Sequence, residues 1–245
     1  MLSESDYANI HQYVGLCFDW IARRDLGLTV ETDMRAWADM MRAAPKMIAV
    51  NPTFDPDQSY LTPSNSFWLR VTHNGRSIAC SANRYFQTDD FVGLMRSMRL
   101  WYDLRPVLLP PLAILLQPSS PRISGGMGHS GGLWVHPDYR GIGLSRLLPR
   151  LIRVLSLRHF DEDWHSTLVT ESLLGSTVPR GAYGYSRFEL VIDGHFPVTG
   201  QTERIHFGWM DRAEMITQLQ VDRDWLSAEP GHQAVGAAAV AGKRQ

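Results

Sequence analysis

The stretch Leu133-Trp134-Val135-His136-Pro137-Asp138-Tyr139-Arg140-Gly141-Ile142-Gly143-Leu144-Ser145-Arg146-Leu147-Leu148 constrains the fold more than any other part of the chain. An apolar strand runs into a proline-bearing turn, a glycine-rich loop follows, and a helix begins at once. Leu144, Leu147, Leu148, Leu151, Ile152 and Leu155 share one helical face, so that helix must lie with its stripe on a core. Arg146, Arg150 and Arg153 take the other side; Arg150 reads as part of a solvated face, and Arg146 as either that or a phosphate contact. Gly141 and Gly143 permit positive φ and a close approach of backbone to a bulky ligand. Directly behind them, the helix N-terminus offers unpaired N–H groups and the positive end of the dipole, both suited to phosphate oxygens. The segment reads as a pyrophosphate cradle.

Two common phosphate loops are excluded. No Lys-Ser or Lys-Thr pair follows the glycines, as a P-loop requires. Glu162 and Asp163 lie near the distance at which a Rossmann fold places its ribose-binding acid, but the glycine spacing does not fit. The loop instead resembles the acyl-CoA loop of the GCN5-related N-acetyltransferases, the GNAT superfamily. That motif runs Gln/Arg-x-x-Gly-x-Gly/Ala after a strand ending in Val-x-Pro. Val135-His136-Pro137 and Arg140-Gly141-Ile142-Gly143-Leu144-Ser145 match it, with Ser145 replacing the final small residue.

The resemblance implies an α/β (α+β) fold: a central mixed, mostly antiparallel, splayed sheet flanked by helices. It implies acetyl-CoA as acyl-donor cosubstrate, with no metal, and a primary amine of a small molecule or peptide as acceptor. A longer acyl chain, or a catalytically weak acyl-CoA-binding regulatory module, is the alternative. In such an arrangement the backbone N–H groups of Leu133, Trp134 and Val135 would meet the pantetheine and polarise the thioester carbonyl. Arg140, Gly141, Ile142, Gly143, Leu144, Ser145 and Arg146 would hold the phosphates.

The resemblance also supplies catalytic candidates. Several members place a glutamate on the motif strand, eleven residues before the loop's Gln or Arg; counting back from Arg140 reaches His129. A histidine there suits proton removal near neutral pH, although Gly125, Gly126, Gly128, Gly131 and Gly132 around it can shift the register. Glu171, near the end of the fifth strand, is the second candidate base and is expected to point toward the splayed gap. The usual proton-donating tyrosine falls at Arg180 here, which leaves Tyr183, or its neighbour Tyr185, as substitute. His136 reads as structural or near the CoA phosphates.

The remaining chain fits this order. Ser5 or Asp6 is expected to cap a first helix striped by Tyr7, Ile10, Val14, Cys17, Phe18 and Ile21, ended by Gly27. Thr32 would cap a second helix bearing Met34, Trp37, Ala38 and Met41, stopped at Pro45. Residues 51–65 form a loop, and Asn74-Gly75 joins strands 66–73 and 77–85 as a hairpin. An insertion at about 88–122 precedes the fourth strand, with Phe91, Leu94, Met95, Met98 and Trp101 on a further helix and an apolar run from Pro106 to Leu116. It is expected to wall the acceptor site or cover a sheet edge. His165–Thr170 reads as the fifth strand, 185–191 and 204–209 as a final strand pair, and Asp211 as the cap of a closing helix with Met215, Ile216 and Leu219. Residues 1–227 would form one domain, and 228–245, rich in Ala and Gly, a disordered tail.

Composition narrows the class only slightly. A net charge of −1 gives no footprint for nucleic acid. The run from Pro106 to Leu116 is too short to span a bilayer and carries three prolines. Met1–Asp6 has no basic or apolar leader run. Cys17 and Cys80, far apart among apolar residues, read as buried thiols in a reducing cytoplasm. A cytoplasmic enzyme is expected, and a homodimer is an admissible assembly.

Overall fold

The computed structural model describes residues 2–45, 49–104, 111–175 and 183–228. Helix α1 (Glu4–Ala22) opens with a capping box on Ser3, two residues before Ser5 and three before Asp6, the expected caps. Ser3 Oγ accepts from the Asp6 N–H at 3.1 Å, and the Asp6 carboxylate accepts from the Ser3 N–H at 2.9 Å. Its buried face is Ile10, Tyr13, Cys17, Trp20 and Ile21, while Tyr7 and Phe18 are exposed. The helix ends at Arg23, the chain reverses through Asp25 at φ +56°, and Gly27 begins a strand rather than ending the helix. That strand, β1 (Gly27–Glu31), is short and non-alternating, so periodicity does not announce it. Helix α2 (Met34–Ala43) is capped by Asp33, not Thr32, through the Ala36 N–H at 3.0 Å. Its buried residues are the expected Met34, Trp37, Ala38 and Met41.

Strands β2 (Ser66–His73) and β3 (Arg76–Thr88) form the hairpin, with Asn74 and Gly75 both at positive φ as a two-residue turn demands. Helix α3 (Phe91–Arg96) is shorter than the amphipathic run suggests; the chain turns at Met98, φ +62°. The motif supplies β4 (Gly125–Val135) and α4 (Leu144–Phe160). There follow β5 (Trp164–Thr170), the one-turn α5 (Glu171–Leu174), β6 (Phe188–Phe196), β7 (Gln201–Asp211) and α6 (Arg212–Ala228). As expected, Asp211 caps α6, accepting from the Glu214 N–H at 2.8 Å.

The strands form one seven-stranded sheet in the order β1-β2-β3-β4-β5-β7-β6. All neighbours are antiparallel except β4 and β5. Helices α1, α4 and α6 cover one face, where Ile10, Trp20, Leu147, Leu151 and Met215 share a core. On the other face α2, Phe54 and Trp134 form a second cluster, and the insertion forms a third with β6 and β7. Phe91, Met95, Met98, Trp101 and Leu112 belong to that third cluster, and Trp101 meets Phe196 edge-on at 5.2 Å.

The insertion therefore serves the second of its two expected uses. The Leu115 N–H donates to the Val191 carbonyl at 2.9 Å, which covers the outer edge of β6. Buried Arg84 of β3 ties it down further, reaching both Asp103 and Ser59 Oγ. Its residues 105–110, Arg180 at the expected tyrosine position, and the tail beyond Ala228 lie outside the described residues. No helix among the described residues is long and apolar enough to cross a membrane.

The arginines of α4 correct one expectation. Arg150 is not solvated but buried; it and the equally buried Arg153 both pair with Asp222 of α6, and Arg153 also donates to the Tyr183 carbonyl at 2.7 Å. A helical position opposite an apolar stripe is solvated only if no second helix packs there. Here α6 does, and a buried carboxylate meets the cations.

Candidate active site

Strands β4 and β5 pair from Met127↔Trp164 to Ser130↔Thr167 and no further, although both continue. Past that point β4 follows β3, and β5 follows β7 as far as Thr170↔Ile205. The parting strands leave a cleft of about 230 Å³. Gly131, Gly132 and Leu133 line one side, Thr167 to Thr170 the other, and Pro149, Tyr183 and Tyr185 the helical side.

The divergence has a local cause. The β3–β4 register slips between Cys80↔Trp134 and Ala82↔Gly131, so Ser81 alone faces Gly132 and Leu133. This β-bulge bends β4 away from β5. Gly132 adopts φ +58°, and a Cβ there would run into the indole of Trp37. Beyond the bulge, Trp134 and Val135 pair again with Cys80 and Ala79. Of the three backbone candidates, Leu133 lines the cleft directly, while the Trp134 ring is buried on the far face.

The phosphate-loop candidates follow without interruption. A 3-10 turn at Pro137–Tyr139 is fastened to the β2–β3 hairpin, with Tyr139 Oη 2.7 Å from His73 Nδ1. Gly141 and Gly143 have φ of +83° and +100°, which only glycine adopts without strain. No side chain caps α4, and its first turn holds no acidic residue, so its amide donors and positive dipole end are unopposed. Arg140 curls back toward the Val135 carbonyl at 3.4 Å, a long contact. The Arg146 guanidinium lies over the Trp225 ring at 4.0 Å. Pro149 within α4 lines the cleft, where its missing N–H leaves a notch in the helix.

The catalytic candidates do not converge. Tyr183 lines the cleft, and burial pushes its hydroxyl up to about 12. Tyr185 lines it too, and its buried hydroxyl lies beside Ser130 and Arg153. His129 precedes the parting by one residue and lies on the opposite face, between Phe54 at 6.1 Å and Phe91 at 5.9 Å. Its Nδ1 is 2.9 Å from Ser166 Oγ. Burial, then His165 and Arg84 nearby, push its pKa down to about 3, so the imidazole is neutral wherever the protein is folded near pH 7. The expected titration near neutrality is thus absent from His129. Glu171 does not point into the gap: its carboxylate is 2.8 Å from Arg204 of β7, the strand on the far side of β5. His136 stays beside the loop, its ring edge-on to Trp134 and Tyr139.

Sequence reasoning missed the cleft's floor, Ser130 and Thr167, because no motif marks where two strands stop pairing. Cys17 and Cys80 are buried thiols, and burial pushes Cys80 up to about 12.

No family model and no curated protein matches this sequence. Among solved structures, Arabidopsis thaliana NAA60 in complex with acetyl-CoA is 11% identical, with a TM-score of 0.48 over 77% of this chain and 99% of that one. A GCN5-related N-acetyltransferase from Brucella melitensis is 12% identical, with a TM-score of 0.48 over 84% of each chain. The ribosomal-protein-S18-alanine N-acetyltransferase from Escherichia coli is 15% identical, with a TM-score of 0.43 over 76% and 94%. Likeness at this level bears on neither substrate nor catalytic residues. On its own elements, with the Val-x-Pro strand, the Arg140–Ser145 loop and the parting parallel pair in one place, the chain resembles the GNAT superfamily in fold.

Proposed function

We propose that this protein is an acyl-CoA-dependent N-acyltransferase that moves an acetyl group from acetyl-CoA to a primary amine by direct attack. One observation carries the reading: the gap between β4 and β5 and the uncapped N-terminus of α4 are the two ends of a single strand-loop-helix unit. A ligand with an anionic diphosphate at one end and a slender acyl-bearing arm at the other matches both at once. The diphosphate would lie on the N–H groups of residues 141–145, in line with the Gln/Arg-x-x-Gly-x-Gly/Ala resemblance. The arm would enter beside Leu133, where backbone donors can polarise a carbonyl as negative charge develops.

The residues present fit such a cosubstrate. The loop carries no acidic side chain in its first helical turn, and the cleft is lined by glycines and hydroxyls at its floor. Tyr183 or Tyr185 would give a proton to the leaving sulfur. His129, neutral and walled by two phenylalanines, is assigned a hydrogen-bonding role instead of proton storage.

Two measurements test this. Calorimetry should detect acetyl-CoA binding, and thiol release from acetyl-CoA should appear with at least one member of a panel of amines, amino acids and peptides. Binding without release for any amine would favour the regulatory module; faster release from long-chain acyl-CoA would favour the longer donor. No binding at all would sink the proposal.

A further inference from the structure

Tyr183 and Tyr185 line the cleft from the segment that leads into β6, and two buried arginines of α4 hold that segment from behind. Arg153 donates to the Tyr183 carbonyl at 2.7 Å, and its guanidinium lies 5.4 Å from the centre of the Tyr185 ring. Gly184, between the tyrosines, sits at φ +73°, and a Cβ there would lie 2.8 Å from Arg150 Nη1. Glycine is what lets the segment close on the arginines. Asp222 of α6 anchors both cations. One of its oxygens pairs with Arg150 and accepts from Gln218 Nε2 at 2.7 Å; the other lies 3.2 Å from Arg153 Nη2.

A cluster that only joined α4 to α6 would need no more than Arg150 and Asp222. Buried ion pairs are costly compared with apolar residues of similar volume, and a second guanidinium adds to that cost. Arg153 divides its rigid fork between the carboxylate and the main chain of the cleft wall. The Tyr185 ring carries the contact forward. Its buried hydroxyl lies beside Ser130 and Arg153. Ser130 is the last β4 residue paired with β5, and its carbonyl accepts from Thr167 Oγ1 at 3.0 Å. The hydroxyl therefore stands where the strands part, with a cation next to it. Burial raises the Tyr185 pKa, and the guanidinium opposes that rise; for Tyr183, burial acts without such a counterweight.

We propose that Arg153, anchored by Asp222, is a positioning residue for acyl transfer: it sets the Tyr183–Tyr185 segment in the cleft and selects Tyr185 as the proton donor to the leaving sulfur. The inference rests on the acyltransferase reading above. The amine nitrogen bonds to the thioester carbonyl carbon, and the C–S bond then breaks. Sulfur takes the bonding pair and the Tyr185 O–H proton. The phenolate left behind faces the Arg153 guanidinium, until the proton that the attacking nitrogen gives up restores it. Amide and thiol result, and no further reactant is consumed. Arginine suits this place because it stays charged throughout and takes no proton itself.

A kinetic cycle separates this role from a structural one. Tyr185→Phe should lower kcat by about 10²-fold, the lower range for a positioned acid. Arg153→Met should lower kcat about tenfold, the worth of one charged hydrogen bond, and leave the KM for acetyl-CoA within about twofold. Asp222 keeps Arg150 and Gln218 in that variant, so the helices stay joined. The double variant should be no slower than Tyr185→Phe alone, within about twofold, because the arginine acts through that hydroxyl. Losses that multiply would overturn the proposal, as would full kcat in folded Arg153→Met or a larger loss from Tyr183→Phe than from Tyr185→Phe. If Arg153→Met fails to fold, the unsubstituted protein decides. The ¹³C NMR signal of the Tyr185 carbon that bears the hydroxyl should move on addition of CoA, and a signal indifferent to bound CoA would overturn the assignment. Absence of turnover with any amine in the unsubstituted protein instead refutes the acyltransferase reading on which the role of Arg153 rests.

Discussion

Gly132 and Trp37 fit together only because one of them has no side chain. The glycine sits at φ +58° in the β4 bulge, and the indole of Trp37 occupies the space a Cβ would need. Gly132→Ala should therefore strain the backbone and overpack the far face together, a cost of about 2–4 kcal/mol. Urea unfolding measures it. A loss below 0.5 kcal/mol would mean that Trp37 yields and that the bulge does not depend on this contact.

Gly143 faces the other test of the motif. Its φ is +100°, and a Cβ would lie 3.0 Å from Trp20 Cζ2. Gly143→Asp adds a carboxylate beside the helix donors, so the dissociation constant for acetyl-CoA should rise at least tenfold, equivalent to about 1.4 kcal/mol. Gly141→Asp, at φ +83° with open space around its Cβ, separates charge from crowding. Unchanged affinity in folded Gly143→Asp would remove the phosphates from this loop.

His129 gives a pH dependence of stability. Its pKa is lowered from 6.5 to about 3, so between those values the unfolded chain binds a proton that the native protein refuses. Stability from this residue is fully present above pH 6.5 and falls as the pH drops, by about 1.4 kcal/mol for each pH unit. His129→Gln should flatten the stability profile between pH 6 and pH 4, measured by denaturant midpoints. A profile as steep as the parent's would place the acid sensitivity elsewhere. The same burial means that His129→Gln should leave the pH dependence of kcat between pH 6 and pH 8 unaltered.

The insertion separates packing from chemistry. Leu112 is 7% exposed in the core shared with β6 and β7, whereas Leu115 is 49% exposed and contributes its backbone N–H to the β6 edge. Leu112→Ala should cost about 2–5 kcal/mol, and Leu115→Ala less than about 0.5. Neither should change acetyl-CoA affinity beyond twofold. A shift in amine or acyl preference in either variant, at unchanged stability, would restore the insertion to the acceptor site.

Local signals carried most of the fold. The 3.6-residue stripe of α4, the Asn74-Gly75 turn and the glycines before α4 each act through nearest neighbours, and all three are where the chain's chemistry puts them. What failed depends on partners distant in sequence. Arg150 looks solvated until α6 arrives with Asp222, 72 residues later. Glu171 is a reasonable gap residue until Arg204 claims it from β7. His129 does lie on β4; which face its ring takes, and that Phe54 and Phe91 enclose it, is a property of the insertion and the loop before β2. The run of glycines around His129, read as a threat to register, includes Gly128, which makes room for Glu162 and His165.

Because β4 and β5 share only the rungs from Met127↔Trp164 to Ser130↔Thr167, the sheet is two antiparallel leaves joined at a narrow seam. One leaf, β1 to β4, carries the loop from Arg140 to Ser145; the other, β5 to β7, carries Glu171 and the edge that the insertion covers. Beyond the seam each leaf follows its own ladder, interrupted in β3–β4 by the bulge opposite Ser81 and in β6–β7 by the one at Val191. The width of the cleft can therefore vary by rotation of one leaf against the other, with no internal strand pairing broken, and the four rungs are where amide exchange should register that motion.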